Sequence, residues 1–284
     1  MHRVSGNPFL KRSLMEQESE PRYVVPEPRA VPAAALRMDE HLVSLRSPNS
    51  FEADQYRVLR HLLTATAEAG QLRVLAVSSP AAGEGKTTTA INLAATLAQS
   101  PGARVLLVDT DLRRPCVGPS LGLVHSAGPG LVGALLDERL DLPAVVRPTP
   151  FNLSVLPAGT SPGNPYQMLE SPRVGQLLEE ARSSYDHVVL DTPPLLLVPD
   201  CGLLSQWVDA FVIVVAARRT PRKLLAETLG AVDPAKLAGI VFNGDERPLS
   251  GYYKSYYTGY YGRRAQPAGS RWLSWWRRRQ SGRP

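Results

Sequence analysis

The sequence predicts an α/β protein built on a doubly wound, mostly parallel sheet with helices on both faces. Three observations predict it. Short aliphatic runs recur along the chain with helical segments between them, the alternation that builds parallel sheets. One run passes through a glycine-rich turn directly into a helical stretch. Two others end in aspartate, and acids at the carboxyl ends of parallel strands lie at the rim where such sheets bind ligands.

Taken in order, residues 1–47 are rich in Pro, Glu and Arg, with Pro21, Pro26, Pro28 and Pro32 inside a dozen residues, and are expected to be extended or disordered. Ser50 is a candidate N-cap, followed by early acids and by Leu59, Leu62 and Leu63 on one side of a helix. Residues 72–79 read as a strand, 80–89 as the glycine-rich turn and 90–97 as a helix. Further strands are expected at 104–109, 153–156, 186–191, 211–215 and 240–242, with helices at 166–184 and 223–232. No internal repeat occurs. The organisation is therefore an N-terminal segment over 1–47, a nucleotide-binding domain over 48–245 and a tail over 246–284.

The turn reads Pro80-Ala81-Ala82-Gly83-Glu84-Gly85-Lys86-Thr87-Thr88-Thr89. Strand, glycine-rich turn and helix is the context of a phosphate-binding loop, the mark of a P-loop NTPase. Gly83 and Gly85 let backbone N–H groups approach phosphates, and the helix N-terminus adds partial positive charge. Lys86 is placed to reach the β- and γ-phosphates of ATP and the Thr87 hydroxyl to ligate Mg²⁺. The ATP-binding set is thus Gly83, Glu84, Gly85, Lys86, Thr87 and Thr88. Pro80 stands where the usual first glycine would be.

The acid-terminated runs are Val105-Leu106-Leu107-Val108-Asp109-Thr110-Asp111-Leu112-Arg113-Arg114-Pro115 and Val188-Val189-Leu190-Asp191-Thr192-Pro193-Pro194. A lone aspartate here would more commonly be a helix cap or turn residue. Three of them following a phosphate loop can organise one Mg²⁺ and leave an oxygen free as a base. Lys86, Asp109, Asp111 and Asp191 are the candidate catalytic residues, Thr87, Asp111 and Asp191 the candidate metal ligands, and Asp109, ahead of Asp111, the candidate base. Arg113 and Arg114 could steady phosphate or pair with the acids.

Six of the ten tyrosines, Tyr252, Tyr253, Tyr256, Tyr257, Tyr260 and Tyr261, fall within ten residues separated by Gly, Ser, Thr and Lys. Doublets between small polar residues fit neither a core helix nor an alternating strand, so accessible hydroxyls are expected. From residue 246 onward nine Arg or Lys face one acid, while the chain as a whole carries +6, so the body is near neutral and the tail basic. Trp272, Trp275 and Trp276 lie among Arg271 and Arg277 to Arg279, the composition of an anchor for an anionic membrane surface and equally of a basic end with no specific partner.

Together the phosphate loop, Asp109-Thr110-Asp111-Leu112-Arg113-Arg114-Pro115, Val189-Leu190-Asp191-Thr192-Pro193-Pro194 and the tyrosine cluster resemble the bacterial protein-tyrosine kinases of capsule and exopolysaccharide biosynthesis, over roughly residues 45–262. Gly130-Leu131-Val132-Gly133-Ala134-Leu135-Leu136 and Leu156-Pro157-Ala158-Gly159 match in order between the stronger motifs. The resemblance implies ATP- and Mg²⁺-dependent autophosphorylation of the six tyrosines, a separate transmembrane co-polymerase as activator, and homo-oligomers contacting through Asp54, Arg57 and Arg60. Asp54 stands where the family pattern has Glu. Asn243 resembles the adenine-contacting Asn of related ATPases. Two rivals are a partition-type or septum-positioning ATPase switch, whose extra loop lysine is replaced here by Ala81, and an ATP-binding adaptor of a polysaccharide export complex.

Composition agrees with a cytoplasmic enzyme. There is no secretory signal or run of about 18 apolar residues. Cys116 and Cys201 lack metal-ligand or redox spacing, and no nucleic-acid-binding module accompanies the basic tail.

Overall fold

The computed structural model describes residues 37–66, 72–123, 128–160 and 163–245. The chain divides into two units, 1–243 and 244–284; every element below belongs to the first. The tyrosine cluster, the Trp/Arg tail and residues 1–36 lie outside the described residues.

Seven strands form one sheet: β1 (Val74–Ser78), β2 (Val105–Asp109), β3 (Arg147–Pro148), β4 (Leu153–Leu156), β5 (His187–Asp191), β6 (Ala210–Ala216) and β7 (Leu237–Asn243). Their order is β3-β4-β2-β5-β1-β6-β7. Only the two-residue β3 runs antiparallel to its neighbour. The inner strands read as unbroken apolar runs because both of their faces are covered, and every residue of β1, β2 and β6 is buried. The edge strand β7 alternates half-buried and exposed positions instead.

The period-two alternation of the strands sends residues to two cores. On one face Leu75, Val77, Leu107, Val189 and Val212 pack with α3 (Lys86–Ala98), with Leu42 just before α1 (Val43–Arg46), and with Leu63 of α2 (Phe51–Thr66). On the other, Ala76, Leu106, Val108, Leu190 and Ile213 meet Leu131 and Leu135 of α5 (Gly130–Leu136), Leu142 of α6 (Leu142–Val145), Leu169 of α7 (Pro165–Glu170) and Leu177 of α8 (Pro172–Ser184). Short α4 (Val117–Ser120) and α9 (Asp200–Leu204) follow β2 and β5, and α10 (Arg222–Gly230) joins β6 to β7. Among the described residues no helix is long and apolar enough to cross a membrane.

Two expectations are corrected. The single helix over 166–184 is two, because Pro172 lacks an N–H and Ser171 starts a new helix, its hydroxyl accepting from the Arg173 N–H at 3.3 Å. The end of the N-terminal segment, residues 37–47, is docked rather than loose: Leu42 is fully buried, and the Ser44 N–H donates to Asn92 Oδ1 of α3 at 2.8 Å. The expected cap of α2 is present, with Ser50 Oγ accepting from the Ala53 N–H at 3.1 Å.

The sheet reverses direction at β1. The chain leaves β1 for β2 on one side, with β5 filling the gap between them, and later adds β6 and β7 on the other. Ligand crevices form outside the carboxyl ends of strands at such a point. There the loop after β1 and the acids ending β2 and β5 converge.

Candidate active site

Gly83 and Gly85 both have φ in the left-handed region, 77° and 88°, which only glycine adopts without strain. At Gly85 a Cβ would also fall 1.9 Å from Asn243 Nδ2. Helix α3 starts at the next residue with no side chain capping it, so its first N–H groups are free for an anion. Pro80 is buried at the end of β1.

Glu84 faces inward. Its carboxylate accepts from the Ala81 N–H at 3.2 Å and from the Thr220 hydroxyl, and its carbonyl accepts from Asn243 Nδ2 at 3.0 Å. Glu84 and Asn243, both expected to touch nucleotide, are engaged here with the loop itself. Thr220 carries no motif signal and was not foreseen; nor was Arg219, which donates to the Gly83 carbonyl at 3.3 Å.

Lys86, Thr87, Asp109, Asp111 and Asp191 are brought together. Asp109 and Asp191 are register partners at the ends of β2 and β5. Lys86 Nζ donates to Asp111 Oδ2 at 2.8 Å and lies 4.0 Å from Asp191 Oδ1, while the Thr87 hydroxyl donates to Asp191 Oδ2 at 2.7 Å. Burial alone would lower the Lys86 pKa, but Asp191 and Asp111 outweigh it and hold the ammonium above its ordinary value. Burial, with Asp191 and Asp111 adding like charge, pushes Asp109 up to about 8 against the opposing Val117 N–H and Lys86. Asp191 is raised by burial to about 6, with Lys86 and Thr87 opposing.

Asp111 has partners on both oxygens, since its Oδ1 accepts from the Arg114 N–H at 3.0 Å. Asp109 and Asp191 each keep one buried oxygen, Oδ1, with no hydrogen bond. A buried carboxylate oxygen is costly to leave unpaired, and Asp191 Oδ1, on the carboxylate that Thr87 touches, suits a cation. No group of three or more His, Cys, Asp or Glu is arranged to hold a metal by itself among the described residues. Mg²⁺ takes one or two carboxylates and draws its other ligands from phosphate and water.

The two arginines of the second motif separate in role. Arg113 makes a two-pronged pair with Asp200, at the start of α9, whose side chain is fully buried. Arg114 contributes its N–H to Asp111, and its side chain is exposed. Asp200 was missed; in sequence it is an acid after a proline, indistinguishable from an ordinary cap. Of the candidate contact residues on α2, Arg57 pairs with Asp54 one turn away, and Arg60 donates to the Thr96 carbonyl at 2.9 Å near the end of α3.

A family model described as an AAA domain matches residues 72–220. The tyrosine-protein kinase YwqD of Bacillus subtilis (strain 168) is 34% identical over 228 residues, covering 80% of this chain and 93% of that protein. The chain belongs to the bacterial tyrosine-protein kinases. Within this kinase family the kinase domain of Escherichia coli tyrosine kinase ETK superposes with a TM-score of 0.67 at 27% identity, over 74% of this chain and 82% of that one. The succinoglycan biosynthesis transport protein ExoP of Rhizobium meliloti (strain 1021) is 31% identical over 216 residues, 74% of this chain, which spans only 27% of that longer relative. Family membership accounts for the P-loop fold.

Proposed function

We propose that this kinase transfers the γ-phosphoryl group of ATP to the tyrosines Tyr252, Tyr253, Tyr256, Tyr257, Tyr260 and Tyr261 of another copy of itself, in control of exopolysaccharide or capsule synthesis and export. The observation that carries the reading is the buried cluster of Lys86, Thr87, Asp109, Asp111 and Asp191 at the mouth of a phosphate loop. The loop amides from Gly83 to Thr88 and the Lys86 ammonium bind phosphate, and Asn243 keeps the loop in shape beside the nucleotide. Thr87 with Asp111 and Asp191 would hold Mg²⁺. When bound, the ion neutralises charge on the phosphates.

Phosphoryl transfer asks mainly for positioning and charge stabilisation. The phenolic oxygen bonds to the γ-phosphorus as the bond to the β,γ-bridging oxygen breaks, and ADP leaves with that electron pair. The phenolic proton passes to a carboxylate. Asp109, in its ionised form, suits that part better than Asp111, because its Oδ1 is uncommitted while both Asp111 oxygens are occupied.

The kinase works in the cytoplasm as a homo-oligomer, with Asp54, Arg57 and Arg60 at the subunit contact, beside a separate transmembrane co-polymerase that activates it. Its Trp/Arg tail holds it reversibly at an anionic membrane surface, each cation contributing roughly 1 kcal/mol. Incubation with ATP·Mg²⁺ followed by intact-mass analysis and peptide mapping tests the reading. Phosphate on the six tyrosines supports it, and an unlabelled chain overturns it.

A further inference from the structure

The phosphate loop is anchored on both sides of β1. Toward β5 and β2 lie the contacts of Lys86 and Thr87 with the acids. Toward β6 and β7 lies a second set of contacts, made to residues outside the catalytic cluster. Arg219 Nη2 donates to the Gly83 carbonyl at 3.3 Å, Asn243 Nδ2 donates to the Glu84 carbonyl at 3.0 Å, and the Thr220 hydroxyl donates to Glu84 Oε1. Asn243 is itself tied to the loop after β6, its carbonyl accepting from the Ala217 N–H at 2.8 Å.

Within this set Glu84 is the odd member. It is an acid in the middle of a loop suited to an anion, between Gly83 and Gly85 and next but one to Lys86. On the open face of the loop its charge would repel phosphate. Instead it is folded under: the residue is 3% exposed, with Oε2 accepting from the Ala81 N–H at 3.2 Å and Oε1 from Thr220. The Thr220 hydroxyl carries one proton and has two acceptors in reach, Glu84 Oε1 and the Ala216 carbonyl at 3.2 Å. The carboxylate is the stronger acceptor of the two. A buried carboxylate that loses one of its partners bears a large desolvation cost, and turning outward relieves that cost at the expense of the anion site. We infer that Thr220 is a positioning residue for the nucleotide: its hydroxyl holds the Glu84 carboxylate beneath the phosphate loop and out of the space the phosphates occupy. The inference rests on the ATP reading above and adds a residue, across β1 from the catalytic acids, on which ATP affinity depends.

The test measures the affinity of the full chain for a fluorescent ATP analogue with Mg²⁺, and kcat for phosphoryl transfer at saturating ATP. Thr220→Val keeps the side-chain shape without the hydroxyl, Thr220→Ala loses both, and Thr220→Ser keeps the hydroxyl. Val and Ala are each expected to raise the Kd about tenfold, the low end for one hydrogen bond to a charged group, with kcat changing far less. Thr220→Ser is expected to bind as the wild type does. An affinity loss that follows side-chain volume rather than the hydroxyl overturns the inference. Thr220 Oγ also accepts from the Ala216 N–H at 3.1 Å, so the same substitutions are repeated in a Glu84→Gln chain. A neutral amide does not repel phosphate, and there Thr220→Val is expected to cost at most about twofold, a coupling that the double-mutant cycle reads directly. An equal loss in both backgrounds places the effect in β6 and overturns the inference. Wild-type protein that does not bind the analogue fails the ATP reading, whereas tight wild-type binding with an indifferent Thr220→Val fails the role of Thr220 alone.

Discussion

The guanidinium of Arg113 and the carboxylate of Asp200 meet in two hydrogen bonds of 2.9 Å each. They tie the loop after β2, which carries Asp111, to the segment after β5, which follows Asp191. The pair is asymmetric: the Asp200 side chain is fully buried and that of Arg113 is 37% exposed. Removing Arg113 strands a buried carboxylate, whereas removing Asp200 leaves a cation that can turn to water. Arg113→Ala is therefore expected to cost roughly 3 kcal/mol, the low end for breaking a buried pair, and Asp200→Asn about 1 kcal/mol. Urea denaturation of the two variants checks the order; an equal or reversed cost would refute the asymmetry.

Lys86→Met removes the ammonium that Asp111 and Asp191 hold in place. Losing one preorganised charge at a reacting centre costs on the order of 10²–10³ in rate, so labelling of purified Lys86→Met protein should fall below detection. Mixed with active protein whose six clustered tyrosines are phenylalanine, the same variant should become labelled. Label absent from the mixture would place transfer within one chain.

Gly85→Ala should abolish nucleotide binding, since the new Cβ lies 1.9 Å from Asn243 Nδ2 and the residue keeps a φ of 88°. Asn243→Ala in the same chain clears the collision but not the strained φ, which costs an L-residue roughly 1–2 kcal/mol. The double variant is expected to recover part of the affinity lost by Gly85→Ala. Recovery to the full wild-type value would mean the left-handed backbone is not needed.

Asp209 gives an acid-labile tie. Burial works to raise its pKa, but the Arg182 fork and the N–H groups of Val74 and Arg73 prevail and hold it below the usual range. A depressed folded-state pKa gives stability that is complete above the unfolded value and is lost as pH falls through the folded one. At pH 7 Asp209→Asn is expected to be less stable by roughly 2–3 kcal/mol, with the gap closing below about pH 4. Chemical denaturation at a series of pH values reads this directly, and a gap independent of pH would show that the charge is not what matters.

The basic tail should carry the chain onto anionic vesicles. Flotation is expected to weaken with salt and to fall after autophosphorylation, since each phosphate adds up to about −2. A chain ending at Gly262 that floats equally well would remove the tail from the mechanism.

The sequence alone determined the elements whose signal is local. Short, β-branched apolar runs such as Val105 to Val108, closed by Asp109, read as strands covered on both faces, and Gly83-Glu84-Gly85-Lys86-Thr87 between a strand and a helix is a phosphate loop because its backbone and charge chemistry leave little else. The break at Ser171-Pro172 was also written locally, in a cap and a residue without an N–H, and was overlooked within a longer helical pattern. What depends on residues distant in sequence was decided only by the tertiary structure. Asp200 lies 87 residues from Arg113, and Thr220 lies 136 residues from Glu84. Each has the bare sequence of a cap or turn residue. Pairing strengths there come from burial, which removes the water that would otherwise satisfy each group. The same holds for Asp109 and Asp191: their side-by-side placement follows from strand order in the sheet, with β5 inserted between β1 and β2, and burial in that crevice raises both pKa values above those of ordinary carboxylates, with the charge of Asp191 adding to the rise at Asp109 and that of Asp111 to the rise at Asp191.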